Sequence, residues 1–280
     1  MNNTIIETEE IVRLKAMTKR MKLGALEMIK AAGPKGAHIG GGFSCMEIMA
    51  VLYGSVLKLF PDDVLAPERD RLLISKNHCT LAHFPALAEA GLISRDEICS
   101  YCTDGSRLIG YPYAPEIGIE YSGGSLGMAI SVGIGQALSA RKHGLTNHIY
   151  VLMGDGELDE GAIWEGLMSA AHFRLSNFTV IIDRNRLCYD GTTDEIMSLG
   201  DLKAKFEAFG FNTVNCNGHD IMALLRAFSD KAADRPNAII AETVKGNSIS
   251  FAENRPEWHQ KAMTDEQYEQ ALKEITEAEQ

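Results

Sequence analysis

"HIYVLMGDGELDEGAIWEGLMSAAHFRLSNFTVIIDRN", residues 148–185, carries two apolar runs separated by one amphipathic stretch. "HIYVLMGDG" reads as a strand stopping at Gly154-Asp155-Gly156, "ELDEGAIWEGLMSAAHFR" as a helix and "NFTVIID" as a second strand. Near-continuous apolar strands joined by a single helix belong to a parallel sheet covered on both faces. The pattern continues downstream with a helix over Leu199–Phe209, a strand over Phe211–Cys216, a helix over Asp220–Ala233 and the strand "NAIIAETV". Upstream, residues 10–32 place Ile11, Leu14, Met17 and Met21 at helical spacing until Gly33-Pro34. A glycine-rich loop, "GAHIGGGFS", follows, and Ser44 with Glu47 forms the capping box of the next helix. "RDRLLIS" reads as a strand and "TLAHFPALAEAG" as a helix. "SRDEICSYC" reads as a helix opened by a Ser94/Glu97 box, and Ser125–His143 as a long helix of small residues suited to close packing. A final capped helix begins near Thr264. No repeat, linker or boundary interrupts the alternation. The expected fold is α/β: one doubly wound parallel sheet with helices on both faces, a single domain over residues 1–280.

The composition is that of a globular protein, 45% hydrophobic and 23% charged, and its formal net charge of −11 argues against nucleic acid or an acidic membrane surface as partner. The amino terminus, "MNNTIIETEE", lacks the layout of a signal peptide, and no apolar run reaches bilayer-spanning length. Six scattered cysteines suit free thiols in a reducing cytoplasm. Cys99 and Cys102 form a C-x-x-C without a second pair, and their amphipathic context suggests helix packing rather than zinc or redox chemistry.

Ligands of doubly wound sheets sit at the carboxyl ends of the strands. Asp155 ends one strand and Asn185 closely follows the end of its expected neighbour, so both should reach one rim. A carboxylate and an amide oxygen are hard donors suited to Mg²⁺ or Ca²⁺, and Mg²⁺ is commonly shared with a phosphate-bearing ligand. The helix expected to begin near Gly156 offers backbone N–H groups to that phosphate, and Gly156 permits close approach. Glu157, Asp159 and Glu160 have the milder reading of first-turn acids complementing the helix dipole.

Gly154-Asp155-Gly156 followed by "DRN" about one strand–helix–strand later resembles the thiamine-diphosphate fingerprint. "AHIGGGFSCMEIMAVLY", "ERDRLLISKNH", "SGGSLGMAISVGIGQAL", "LKAKFEAFGF" and "VKGNSISFAEN…WHQ" extend the resemblance from about Ala16 to His259, and it is to the diphosphate-binding domain of transketolases. The resemblance implies that Asp155, Asn185 and the Leu187 carbonyl hold Mg²⁺ on the diphosphate of thiamine diphosphate. It implies that His38 faces the substrate and helps move its hydroxyl proton, that His78 contacts the diphosphate, and that His259 is shared between diphosphate and substrate. Gly124, Ser125 and Leu126 would line the cofactor's pyrimidine, and Glu160 would face a partner interface. His83, His143, His148, His172 and His219 have no motif behind them and read as structural.

Two positions depart from the family pattern. Gln260 stands where a glycine usually follows the late histidine. Gly110-Tyr111-Pro112 stands where Gly-His-Pro is usual, with a histidine that meets the donor's terminal hydroxyl. Tyr111 can exchange a hydrogen bond but is longer and does not ionise near neutral pH. Either the donor pocket suits an unusual ketose, or any hydrogen-bonding side chain suffices there.

In transketolases the glutamate that activates the cofactor, and the arginines that grip the sugar phosphate, lie in a second, pyrimidine-binding domain that these residues do not include. The resemblance therefore implies one subunit of a split, cytoplasmic transketolase, completed by a pyrimidine-binding partner in an α₂β₂ assembly and acting on sugar phosphates. Alone, the chain should bind cofactor weakly and turn over nothing. A decarboxylating 2-oxo-acid enzyme is disfavoured by "HIGG", "KNH" and "WHQ", and a non-catalytic subunit by the intact Asp155, Asn185, His38, His78 and His259. A nicotinamide-binding domain fits poorly, because "GIGQAL" at Gly133 lies inside a helix and lacks the third glycine.

Overall fold

The structure, a computed structural model, describes residues 2–278, with side chains from residue 8 onward. Met1 and residues 279–280 of the expected 1–280 domain lie outside the described residues. Five parallel strands, β1 (Arg71–Ile74), β2 (Ile149–Gly154), β3 (Phe178–Arg184), β4 (Asn212–Asn217) and β5 (Asn237–Glu242), form one sheet in the order β1-β2-β3-β5-β4. The expectation of a parallel α/β sheet is met, and β2 and β3 are direct neighbours with Gly154 opposite Asp183.

Both faces of the sheet are buried because successive strand residues point to opposite sides and both sides are apolar. Ile149, Val151 and Met153 join one apolar cluster, which holds the inward residues of α5 (Ala129–Lys142), α6 (Gly161–His172) and α8 (Leu202–Ala208). Tyr150 and Leu152 join the other, with α1 (Asn2–Ala32), α3 (Met46–Val51), α4 (Thr80–Glu89) and α9 (Ile221–Ser229). The small residues of α5 do allow close packing: a Cβ on Gly133 would come within 2.8 Å of the Val151 side chain. The remaining helices are α2 (Ile39–Phe43), α7 (Thr193–Met197) and α10 (Asp265–Glu277), and α10 opens with a Thr264/Gln267 capping box as expected.

Several local expectations need correction. "HIGGGF" is not a loop. Residues 39–43 form α2, with Gly40, Gly41 and Gly42 buried. Ser44 caps nothing: its hydroxyl donates to Asp183 at 2.5 Å, and Glu47 turns to Lys22 and His219, because buried charges outweigh a cap. The long helix begins only at Ala129. Residues 125–128 are a loop, and Gly127 there has φ +78°, a left-handed conformation that ends helical continuity. The segment at Arg95–Ser100 is a 3₁₀ helix, and Ser94 accepts from the Glu97 N–H. Cys99 is exposed, so it is no packing residue, whereas half-buried Cys102 does pack against the core. The helix expected from Glu157 is broken into a 3₁₀ turn over Gly156–Asp159 and α6, with Glu160 extended between them.

Candidate functional site

At the carboxyl ends of β2 and β3, Asp155 is almost fully buried and bonded into the turn that follows β3. Its carboxylate accepts from the Gly156 N–H at 2.9 Å and from the Arg186 N–H at 2.6 Å. That turn is tight, with Arg186 at φ +61°, and it carries Asn185, whose amide oxygen accepts from the Leu187 N–H at 3.2 Å. Asp155, Asn185 and the Leu187 carbonyl thus lie on one rim. Burial, then the charge of Asp183, pushes the Asp155 carboxyl up to about 6. An oxygen-rich corner holding an acid short of counter-charge fits a small divalent cation.

Beneath this corner is an ion pair that sequence reasoning missed. Lys76 and Asp183 are both wholly buried. Lys76 bonds the Asp183 carboxylate and donates to the Gly41 carbonyl at 2.9 Å, and Asp183 also accepts from Ser44 and Thr243. Burial alone would raise the Asp183 carboxyl. The Lys76 ammonium and the two hydroxyls overcome it and hold the acid below its ordinary range. Both residues sit inside the quoted motifs "KNH" and "DRN", but a pairing across 107 positions leaves no local pattern.

Three histidines far apart in sequence meet one another. His38 is 5.5 Å from His259 and 5.8 Å from His78 between ring centres, and His78 is 5.0 Å from His259. The glycines of α2 make this possible. A Cβ on Gly41 would stand 2.5 Å from the His78 ring, and one on Gly40 2.9 Å from the Lys245 side chain. Lys245, also unforeseen, is 2% exposed; its ammonium donates to the carbonyls of Leu187 (2.8 Å) and Cys188 (3.0 Å) and meets His259 Nδ1 at 3.1 Å. Burial, then Lys76, lowers Lys245 to about 8. Burial, reinforced by Lys245, also lowers His38 and takes His259 to about 3. For His78, burial and then Lys76 act in the same direction. In all three imidazoles these effects favour the neutral form.

Tyr111 and Tyr189 flank the histidines. Tyr111 lies 6.3 Å from His38, edge-on, and its ring covers Gly124, whose φ of +119° and lack of a Cβ admit that contact. Tyr189 is 5.2 Å from His259. Gly124, Ser125 and Leu126 are exposed, and the Tyr111 ring joins Gly124 to the side of His38. Gly156 is needed for a close approach, since a Cβ there would stand 2.6 Å from Cys188 Sγ. Glu157 is no mere helix-dipole acid. It is buried, with three donors on its carboxylate. Three of the five histidines read as structural have structural partners: His83 meets Tyr53, His148 meets Thr179, and His219 joins Glu47 to the Val244 N–H, while His143 and His172 are exposed.

Residues 14–277 match the family described as transketolase, thiamine diphosphate binding domain. The chain is 37% identical over 270 residues to an apulose-4-phosphate transketolase subunit of Phocaeicola vulgatus, covering 96% of this chain and 95% of that protein. It is 35% identical over 241 residues to a 6-deoxy-6-sulfo-D-fructose transketolase subunit of Clostridium sp. (strain MSTE9), covering 85% and 88%. The solved transketolase of Campylobacter jejuni is similar with a TM-score of 0.87 at 25% identity, covering 94% of this chain but only 42% of that one.

Proposed function

The chain belongs to the transketolase family through its thiamine diphosphate binding domain, and from that premise we propose that it is one subunit of a split transketolase dependent on thiamine diphosphate and Mg²⁺. The observation that carries the reading is the meeting of His38, His78 and His259, tied through Lys245 to the Leu187 carbonyl of the turn that holds Asp155 and Asn185. Relatives of matching length that are themselves called subunits support an enzyme of more than one chain. In the assembly proposed, α₂β₂, a pyrimidine-binding partner supplies the activating glutamate. Free thiols at every cysteine suit a cytoplasmic setting, and among the described residues no helix is long and apolar enough to cross a membrane.

Asp155, Asn185 and the Leu187 carbonyl hold Mg²⁺, and His78, Lys245 and the Gly156 backbone receive the diphosphate. Gly124, Ser125 and Leu126 line the pyrimidine end. Thiamine diphosphate, when bound, supplies the chemistry that breaks and forms the carbon–carbon bond. The chain's own part is proton traffic and orientation. His38, whose proton affinity burial lowers, takes the proton of a substrate hydroxyl and returns it. The neighbouring Lys245 donates toward His259 Nδ1, which leaves Nε2 as the protonated nitrogen, so His259 serves as a hydrogen-bond donor. Lys76 and Asp183 fix α2 against the strand ends, so the imidazoles stay in place.

The reaction proposed is transfer of a two-carbon ketol unit from a ketose phosphate to an aldose phosphate. A second reading, specialisation for a non-standard ketose, rests on Tyr111, which puts a half-exposed phenol ring over Gly124 at the cleft mouth. The test is steady-state ketol transfer by the chain co-expressed with its partner, with thiamine diphosphate and Mg²⁺. Vigorous turnover of xylulose 5-phosphate with ribose 5-phosphate favours the general enzyme. Activity on other ketoses alone, with Tyr111→His restoring the standard pair, favours specialisation. A stable complex that binds cofactor and transfers nothing would leave only a regulatory role.

A further inference from the structure

Glu157 stands three residues beyond the strand end, 3% exposed, where an unpartnered acid would be costly. Its carboxylate gathers donors from three separate segments. One oxygen accepts from the Gly127 N–H at 2.8 Å and from the Ser75 hydroxyl after β1, and the other accepts from the Gly154 N–H at 3.2 Å. Gly127 closes the loop that carries Gly124–Leu126, and that loop begins at Gly123 against the end of β1. A Cβ on Gly123 would stand 2.5 Å from the Ile74 carbonyl, and one on Gly127 2.8 Å from Glu160. With glycines at its contact points, the loop has little side-chain packing of its own to fix its height. A charged acceptor beneath it supplies that restraint, as hydrogen bonds to a charged group are the stronger kind.

We propose that Glu157 is a positioning residue which, by clamping Gly127 to the ends of β1 and β2, sets the Gly124–Leu126 backbone at the height where it meets the ring end of the cofactor. This rests on the reading of the cleft as a thiamine diphosphate site. It assigns Glu157 to one end of the ligand: the diphosphate end is held by the Asp155 corner and His78, to which Glu157 makes no bond.

Calorimetric titration of the chain co-expressed with its partner, using thiamine diphosphate and, separately, inorganic pyrophosphate, both in Mg²⁺, tests the proposal. The wild type is expected to bind thiamine diphosphate more tightly than pyrophosphate. Glu157→Gln, which turns an N–H donor toward one of the present donors, is expected to weaken thiamine diphosphate about tenfold and to leave pyrophosphate within about twofold. Glu157→Asp keeps the charge but is too short to span the three donors, and should show the same selective loss if the glutamine variant does not fold. An equal loss on both ligands would mean a general structural role and overturn the proposal, as would unchanged affinity. A wild-type complex that binds neither ligand would instead overturn the cofactor reading itself, and the positioning role with it.

Discussion

Lys76 and Asp183 show how much of a site can rest on one buried pair. With both side chains out of solvent, the gain from pairing has to offset desolvation of two charges, and the pair holds only because Ser44, Thr243 and the Gly41 carbonyl complete the shell. Removing one partner strands the other charge. Lys76→Met should cost about 3–5 kcal/mol in urea unfolding, while replacing both members by apolar residues of similar volume should recover most of that loss. A Lys76→Met variant as stable as the wild type would show that water already reaches Asp183. Asp155 and Asn185 are legible in the sequence because each marks the point where an apolar strand gives way to the ligand face. Lys76, Asp183, Lys245 and Glu157 are not, since a lysine or acid that finds its partner only in three dimensions looks like any solvated charge. For Glu157 the one local effect visible in sequence is the helix dipole, and two of its three donors, Ser75 and Gly127, come from elsewhere.

At the scale of elements, strands are the easiest to read and α2 the hardest. β2 and β3 announce themselves as unbroken apolar runs, because a central parallel strand has no solvent face to mark. Three consecutive glycines argue against a helix by propensity, yet residues 39–43 are helical because only glycine lets that turn lie against His78, Lys245 and Leu81. Tertiary contact overrides local preference here, and the same glycines bring the histidines together. Gly41→Ala should displace the His78 ring, cost about 1–3 kcal/mol through overpacking, and weaken thiamine diphosphate binding. Gly135 is its counterpart: it sits mid-helix in α5 with nothing within 4 Å of an added Cβ. Gly135→Ala should therefore stabilise the isolated chain by about 0.5–1 kcal/mol. Thermal denaturation of the two variants side by side checks the contrast, and a stabilising Gly41→Ala would contradict the packing described for α2.

Over the whole molecule, burial of neutral histidines ties stability to pH. Burial takes both His83 and His148 to about 3, far from the site and with neutral hydroxyl partners. Between that value and the unfolded value of about 6.5, the unfolded chain binds protons that the folded chain refuses, so stability is present above about 6.5 and is lost as pH falls through this window. The melting temperature should drop from pH 7.5 to pH 5, and His148→Gln should make the drop shallower. The surface poses the remaining question, because the Gly124–Leu126 loop continues into exposed apolar side chains at Leu126, Met128 and Val132, with Met168 exposed on α6, which packs beside α5. A single such residue means nothing, but several bordering one cleft mark a surface that another chain covers. On the split-enzyme reading that chain is the pyrimidine-binding subunit, and its seat must adjoin the Gly124–Leu126 loop because both subunits close on one cofactor. Val132→Glu combined with Met128→Glu should then leave the melting temperature of this chain within about 2 °C, since neither side chain is buried, while weakening the complex at least about tenfold as buried charges meet an apolar partner. Sedimentation of the mixed subunits, read together with thiamine diphosphate affinity, decides it. Assembly and affinity should fall together, and an unaltered complex would place the partner on another face.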